Sequence, residues 1–379
     1  MNKILYVAID VDDNAYHGHA LAGDETEGAD LVTKPSAAHL IQTLRKIQRP
    51  GYQITICYEA GYLGYSLYRA LVKAGFACDI IAPSLIPKPP GARVKTDRID
   101  AQKLALYYKQ GLLTKIHVPD ETQEALRDLL RSRHFLRRQT VRVKHHLLSL
   151  LRRLGLDYRQ QTQNPSAAHW TQVHRSWLTS RLKELENPLV KLNFETLLGR
   201  IRLLEEQIHS HDETLRTLAL DPKVWPPVQA LCCYRGLDVL SALTLVTELG
   251  DIRRFDHPRR LTSYAGMDLI EHSSGGKERR FSMSRMGNRH IRTTVIEACQ
   301  YAFNTPVISQ LLQKRRQETP AHLVAIADRC MQRLHQKARR LLYRDKPRNK
   351  IKAACAREML GFIWESLNAV ASTTTVRKG

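Results

Sequence analysis

The sequence predicts an α/β domain followed by two mainly helical domains, and three observations support this fold class. Strand-like apolar runs alternate with helical patterns over residues 1–118, apolar residues recur every seven positions over residues 119–222, and helical patterns dominate residues 223–379. A chain of 379 residues is also longer than one hydrophobic core usually organises. These three ranges are the predicted domains.

The first domain is predicted to contain three strands, a helix, a strand, a helix, a strand and a helix. The strands are expected at 4–10, about 15–21, about 29–34, 53–59 and 77–82, and the helices at 36–48, about 62–74 and about 97–110. Ser36 is a candidate N-cap, and Gly75 and Gly111 would end the later helices. Short links favour an antiparallel meander of the first three strands, and helical crossovers favour parallel additions. This is the order of a ribonuclease-H-like mixed sheet.

The second domain shows two heptad patterns separated by the polar link QQTQNPSAAHW. One consists of Leu129, Leu136, Val143 and Leu150, and the other of Phe194, Ile201, Ile208 and Leu215, with Leu197, Leu204, His211 and Leu218 three positions further on. Such spacing predicts a long helical hairpin. Two forms remain open, a coiled coil that also dimerises and an intramolecular bundle.

The third domain begins at the boundary motif DPKVWPP and ends in a basic helical tail at 339–350. Near its start, the segment around Gly236 and Asp238 is similar to a helix–hairpin–helix, in which backbone amides near the turn bind phosphates. Only one glycine is present where two are usual, so DNA binding by this hairpin is left open.

The composition favours a nucleic-acid-binding protein. Lysine and arginine outnumber aspartate and glutamate by 59 to 37, so the net charge is +22 and the pI is about 9.9; ribosomal and membrane-surface roles are the alternatives. No run of about 18 apolar residues is present, so we expect no membrane span, and MNKILYVAIDVDD is predicted to be a strand rather than a signal peptide. Seven cysteines without zinc-like spacing indicate reduced core thiols in a cytoplasmic protein.

Four carboxylates lie at the ends of predicted elements in the first hundred residues. Asp10 and Glu59 each end a strand, and Asp97 and Asp100 open the helix in KTDRIDAQKLALYY, three positions apart and therefore on one face. Mg²⁺ prefers oxygen ligands, and phosphoryl transfer through two metal ions needs several converging carboxylates. The set predicts a metal site for phosphodiester chemistry. The alternative is that these acids cap their own or the following helix.

A basic loop precedes Asp97. Lys88, Arg93 and Lys95 lie in it, and Arg98 follows directly. Beside a metal site these side chains would hold phosphates; the alternative is a solvated loop.

A serine and glycine segment lies within YAGMDLIEHSSGGKERRFSMSRMGNRHIRTT at 264–294. Ser273 and Ser274 directly precede Gly275 and Gly276. Glycines permit close backbone approach to a phosphate, and an activated serine hydroxyl can attack phosphorus. Composition alone favours the alternative of a flexible basic loop that touches DNA.

Nearly the whole chain resembles a known family, the DEDD transposases of bacterial insertion sequences that work with a bridge or seeker RNA. VAID at 7–10, YEAGYLGY at 58–65 and KTDRIDAQKLA at 95–105 resemble the family's RuvC-like domain. FDHPRRLTSYAGM at 255–267, the serine segment and SRMGNRHIRTTVIEA at 284–298 resemble its C-terminal transposase domain.

The resemblance implies roles for individual residues and partners. The four acids would hold Mg²⁺ or Mn²⁺, and Ser274, with Ser273 as the alternative, would attack DNA and form a covalent phosphoserine link. A structured non-coding RNA would pair with donor and target DNA, and a homodimer assembling to a tetramer would act in the bacterial cytoplasm at the nucleoid. The residues expected to bind nucleic acid are Lys88, Arg93, Lys95, Arg98, Arg137, Arg138, Lys277, Arg279, Arg280, Arg285 and Asn288.

Three functions therefore stand as hypotheses. The first is an RNA-guided DNA recombinase that uses serine. The second is an endonuclease similar to Holliday-junction resolvases, in which metal-activated water cuts DNA. The third is a non-enzymatic nucleic-acid-binding protein, which the full set of four acids disfavours.

Overall fold

The computed structural model describes residues 3–87, 97–274 and 277–376, with backbone only at 97, 270–274, 277–282 and 374–376. The chain divides into two compact units, Met1–Asp120 and Glu121–Gly379. The domain boundaries expected at 118/119 and 222/223 stay predictions.

The first unit is built on a five-stranded mixed sheet with the strand order β3-β2-β1-β4-β5. The strands β1, β2 and β3 pair antiparallel, whereas β4 and β5 add in parallel. This arrangement confirms the expected mixed sheet of meander and crossovers. The elements are β1 Lys3–Val11, β2 Tyr16–Ala22, β3 Ala29–Thr33, α1 Ala37–Lys46, β4 Tyr52–Glu59, α2 Ser66–Lys73, β5 Ala77–Ile81 and α3 Asp97–Lys109.

Strand alternation gives this sheet two apolar faces. One face, with Leu5, Val7 and Ile9 from β1, packs against α1 and α2. The other face, with Ala8 and neighbouring residues of β4 and β5, packs against α3. The N-cap expected at Ser36 is present, since its hydroxyl accepts the amide of His39. Helix α2 begins at Ser66 rather than near 62, because a turn closed by the amide of Gly64 on the carbonyl of Gly61 precedes it.

The second unit begins with the predicted helical hairpin. Helices α4 (Glu121–Arg153) and α7 (Pro188–Ala219) lie antiparallel, with the short α5 (Tyr158–Gln161) and α6 (Gln172–Glu184) between them in the chain. Arg133 pairs with Asp212, and Nζ of Lys144 lies 2.7 Å from a carboxylate oxygen of Glu205. A later residue of α4 therefore contacts an earlier residue of α7, as expected for antiparallel helices. Dimerisation through this hairpin stays a prediction.

The heptad positions are buried unevenly. Leu150, Phe194, Ile201, Leu204 and Leu215 are buried, whereas Leu218 is 43% exposed. The seam therefore ends before Leu218, and the neighbouring Ala219 is the buried residue that packs on the following helices.

The remainder of the second unit is mainly helical, as predicted, with one two-stranded sheet. Leu130 and Leu215 at the base of the hairpin share one hydrophobic core with these later helices. No helix in the described ranges is long and apolar enough to cross a membrane. The elements are α8 Trp225–Cys232, α9 Val239–Leu249, α10 Pro258–Tyr264, β6 Leu269–Ser274, β7 Lys277–Met283, α11 Arg289–Ala298, α12 Gln310–Arg316, α13 Ala321–Tyr343 and α14 Arg348–Val376.

Candidate active site

Two of the predicted acids lie side by side at one edge of the sheet. Strands β1 and β4 are parallel neighbours whose register places Ile9 beside Tyr58, so Asp10 and Glu59 follow at adjacent positions. Both acids are half-buried. The loops that come next also approach each other, because the Tyr62 hydroxyl lies close enough to Asp13 for that carboxylate to raise the pKa of Tyr62 to about 12. The carboxyl ends of the two strands therefore lie side by side at one edge of the sheet.

Helix α3 directs its acidic first turn towards the same edge. The ammonium of Lys109, at the end of α3, donates to the carbonyl of Ala22 at 3.2 Å, where β2 pairs with the beginning of β1. Gln102, about two turns earlier, donates to Asp30 at 3.1 Å, opposite the middle of β2. Helix α3 thus runs against β1, and Asp100 lies further towards the end of β1 that carries the acids. Asp97 is the first residue of α3, and only its backbone is described.

Asp30 fixes the position of this helix and was not found from the sequence. One carboxylate oxygen lies 2.7 Å from Nδ1 of His19 on β2, and the other lies 2.5 Å from Nε of Arg98 on α3. The hydrogen bond from His19, with further help from Gln102 and Arg98, holds the pKa of Asp30 below its usual range. Arg98, expected to contact nucleic acid, is thus ion-paired within the protein. No local pattern marks Asp30, since its partners are distant in sequence.

The donor chemistry of the site suits a hard divalent cation. Asp10, Glu59 and Asp100 offer only oxygen ligands, which Mg²⁺ and Mn²⁺ prefer. Among the side chains that the structure describes, no three of His, Cys, Asp or Glu approach closely enough to hold a metal ion. Neighbouring carboxylates repel one another, and a divalent cation between them reverses that interaction. Metal binding would therefore draw these acids together.

The capping alternative for Glu59 is wrong. Helix α2 begins at Ser66, seven positions later, and its N-cap residue Tyr65 makes no side-chain capping hydrogen bond. Glu59 is instead the last residue of β4. Its role as a metal ligand stays a prediction.

The serine segment forms a β-hairpin rather than the flexible loop that composition favoured. Ser274 is the last residue of β6 and pairs with Lys277 at the beginning of β7, so Gly275 and Gly276, outside the described residues, join the two strands. Ser273 pairs with Glu278. Two glycines between strand-like runs are typical of two-residue hairpin turns. Sequence reasoning could have found the hairpin by that signal.

The base of this hairpin is anchored by Asp268. Its carboxylate accepts the Ser284 hydroxyl at 2.6 Å, and its carbonyl accepts the Ser284 amide at 3.0 Å. These bonds join the residue before β6 to the residue after β7. The backbone of the predicted nucleophile is thus carried on a closed hairpin with a fixed base.

Two family models match this chain. One, for DEDD transposases of the IS110 type, covers residues 7–155, and the other, described as the transposase IS116/IS110/IS902 family, covers residues 228–313. A protein named as a transposase, y4qE of Sinorhizobium fredii, is 30% identical over 372 residues, which are 97% of this chain and 87% of its own length. The transposase for insertion sequence element IS1533 of Leptospira borgpetersenii is 29% identical over 349 residues, 90% of this chain and 97% of its own.

The chain belongs to the IS110/IS116 family of insertion-sequence transposases. A DNA transposase acts on DNA, so the predictions of a transposase enzyme and of DNA as its partner are confirmed at this level. The IS110-type match contains all four predicted acids, which lie on β1, β4 and α3, and the second match contains the β6–β7 hairpin.

The other residues expected to bind nucleic acid differ in how this IS110/IS116 family transposase presents them. Arg137 and Arg138 lie exposed on α4, and Arg285 is exposed at a left-handed φ of 56°. Asn288 caps α11 and donates to Glu248 at 2.7 Å, so both ends of its side chain already have protein partners. Lys277, Arg279 and Arg280 lie on β7 with only their backbone described, and Lys88, Arg93 and Lys95 lie outside the described residues.

The helix–hairpin–helix of the transposase is present as α8 and α9, but its phosphate-binding amides are occupied. The Asp238 carboxylate caps α9 by accepting a hydrogen bond from the Ser241 amide at 2.8 Å. The Ser241 hydroxyl in turn accepts a hydrogen bond from the Asp238 amide. A carboxylate at this helix end repels a phosphate. Phosphate binding by this turn is therefore disfavoured.

Proposed function

We propose that this transposase cuts and exchanges DNA strands through a serine nucleophile assisted by metal-binding acids. Ser274 attacks a DNA phosphate, and Asp10, Glu59, Asp97 and Asp100 hold Mg²⁺ or Mn²⁺. The main support is the position of Asp10 and Glu59 at adjacent ends of parallel strands, with the acidic turn of α3 directed to the same edge of the mixed five-stranded sheet.

The reaction is a transesterification. Oγ of Ser274 forms a bond to phosphorus while the bond to one deoxyribose oxygen breaks; the hydroxyl proton passes to a base, and the leaving oxygen gains a proton. A bound divalent ion supplies electrophilic stabilisation of the phosphate and lowers the pKa of the hydroxyl. The phosphoserine ester conserves the energy of the broken bond, so a second sugar hydroxyl can reverse the step on a new strand. The acids and Ser274 act on one phosphate, from one chain or from two.

Target choice is assigned to a structured bridge or seeker RNA that pairs with donor and target DNA. A net charge of +22 supports contact with long phosphate backbones. Base pairing then supplies sequence selection, and the protein surface needs only sequence-independent contacts. Recombination holds two duplexes at once, so a dimer assembling to a tetramer, at the bacterial nucleoid, completes the proposal.

A covalent adduct tests the nucleophile. The full chain is incubated with Mg²⁺, its RNA and labelled donor DNA, denatured in detergent, and assayed for DNA that migrates with protein. Ser274→Ala should abolish the adduct, and the matched variant Ser273→Ala should retain it. The reverse pattern would assign the nucleophile to Ser273. Cut DNA without any adduct in the unmodified protein would favour the water-using endonuclease instead.

The acids and the RNA are tested separately. Asp10→Asn should abolish both adduct and cutting but leave DNA binding intact, because only the metal-dependent step is lost. Chelation should have the same effect, with activity restored by Mg²⁺ or Mn²⁺. The RNA is tested by co-purification with transcripts of the flanking DNA, followed by ribonuclease treatment, after which recombination of the matched target should stop.

A further inference from the structure

A polar groove lies within the second unit, between α4, α9 and α11. Its cavity volume is about 580 Å³. Arginines of α4 form one wall, the beginning of α9 forms another, and His290, Thr293 and Gln300 contribute from and just beyond α11. All the residues known to line it belong to the second unit.

Two of the three acids that line this groove have partners within the protein. Glu248 is bound by Arg131 through two hydrogen bonds of 2.9 Å, and Asp238 caps α9. Arg133, also at the groove, is paired with Asp212. Glu297 is the remaining acid of the lining, and it is exposed.

Three arginines of the lining have no acidic partner among the described residues. Arg137, Arg138 and Arg142 are exposed, and none makes an ion pair or side-chain hydrogen bond within the described ranges. His134, also in the lining, contacts His290, and their ring centroids are 5.2 Å apart. Burial, together with the nearby arginines, lowers the pKa of His134, which is consistent with a positive potential in the groove.

We propose that this groove binds consecutive phosphates of a nucleic-acid backbone. Arginine forks match phosphate oxygens. Arg138 and Arg142 are four positions apart, so their Cα atoms are separated by about 6 Å along one face of α4. This spacing suits a chain of phosphates rather than a single anion. The proposal rests on the family's action on DNA and goes beyond the catalytic proposal, because Arg138 and Arg142 are not among the proposed catalytic residues.

The test compares two charge-matched variants of the full chain, both carrying Ser274→Ala so that strand cutting does not interfere. The groove variant is Arg138→Gln with Arg142→Gln. The control is Arg152→Gln with Arg153→Gln, exposed residues at the end of the same helix but outside the groove. Binding to duplex DNA and to RNA transcribed from the flanking DNA is measured by fluorescence anisotropy over a salt series.

The groove variant should lose about tenfold or more in affinity for one or both ligands, since each arginine supplies a charge-assisted hydrogen bond. The slope of log affinity against log salt should fall by about 0.9 per lost contact on duplex DNA and about 0.7 on single strands. A loss confined to one ligand identifies that ligand as the source of the phosphates. Equal losses in the groove and control variants would overturn the proposal, because general charge would then explain binding.

The outcome is independent of the serine mechanism. Failure to detect an adduct with Ser274 intact would remove the catalytic proposal and leave the groove result standing. Conversely, a normal adduct with unchanged binding by the groove variant would remove only the groove. Intrinsic tryptophan fluorescence checks folding of the second unit, because all four tryptophans lie in it.

Discussion

Glu248 is a buried charge in the second unit with several partners, and its removal is predicted to be strongly destabilising. Its side chain is only 1% exposed. Arg131 binds it twice at 2.9 Å, Asn288 donates to it at 2.7 Å, and Nε of the buried Arg127 lies 3.6 Å away. These partners come from α4 and the N-cap of α11, whereas Glu248 itself lies on α9. The carboxylate therefore joins the three helices that surround the groove.

The expected cost of Glu248→Ala is about 3–5 kcal/mol, because the change leaves Arg127 as a buried charge without an anionic partner, although it keeps its hydrogen bond to the Thr247 carbonyl. For a unit of this size, that loss lowers the unfolding midpoint by roughly 6–20 °C. Denaturant unfolding followed by tryptophan fluorescence measures the second unit alone, since the first has no tryptophan. The matched control is Glu206→Ala, at an exposed position of α7, which should change stability by less than about 0.5 kcal/mol.

A double variant separates charge burial from lost packing. Adding Arg127→Met to Glu248→Ala removes the stranded charge, so it should recover part of the loss. A loss below about 1 kcal/mol for Glu248→Ala, or no recovery in the double variant, would refute this account of the network.

The same network gives a pH dependence of defined sign. Burial raises the pKa of Glu248, but hydrogen bonds from Arg131 and Asn288 outweigh burial, and the pKa lies below the ordinary 4.5. The folded state thus favours the charged form. The resulting stability is present above pH 4.5 and is lost as the pH falls below it. Glu248→Gln should remove this part of the acid sensitivity.

Three further predictions concern the second unit. Burial lowers the pKa of His174 from 6.5 to about 4. Stability of up to about 3 kcal/mol is therefore present above pH 6.5 and is lost as the pH falls towards 4. His174→Phe should remove the pH dependence of the urea-unfolding midpoint across that window, and an unchanged pH profile would contradict the assignment. Gly236→Ala should cost about 2 kcal/mol or more, because φ at this position is +92° and the new Cβ would lie 2.5 Å from a carbonyl oxygen. Gly199→Ala, which has open space around it, should instead stabilise α7 by about 0.5–1 kcal/mol. Equal shifts of the thermal unfolding midpoint in the two variants would refute this difference. Leu147→Ala, at a fully buried site, should cost about 2–5 kcal/mol in chemical denaturation, against a near-neutral change for Leu189→Ala at a site that is 76% exposed.

The parts of the fold that followed from sequence are those encoded by local periodicity. The apolar run that ends at Asp10 and the run that ends at Glu59 each became a strand within one or two residues of the expected bounds. Because parallel neighbours end at the same edge, the proximity of these two acids followed as well. The β6–β7 hairpin was missed since its strands are short and charged, and only the two glycines between them indicated a turn.

The connections that position the site could not be predicted from local patterns. Asp30 contacts Arg98, and Glu248 contacts Arg131 and Asn288, across separations of 40 to 117 residues. An acid on a surface strand and an acid within a helix carry no periodic signal that names a distant partner. Only tertiary packing decides which carboxylate is buried and which arginine binds it.

The basic residues behind the net charge of +22 differ in function according to whether they are ion-paired within the protein. Helix α4 carries arginines on several faces. Arg127, Arg131 and Arg133 are matched to Glu248 and Asp212, so they stabilise the fold and add little to the external field. Arg137, Arg138 and Arg142 have no such match in the described part of the chain, and they share one groove. Stability should therefore respond to the first group and the salt dependence of nucleic-acid binding to the second, and a variant that shifted both measurements equally would show that the two groups are not separate.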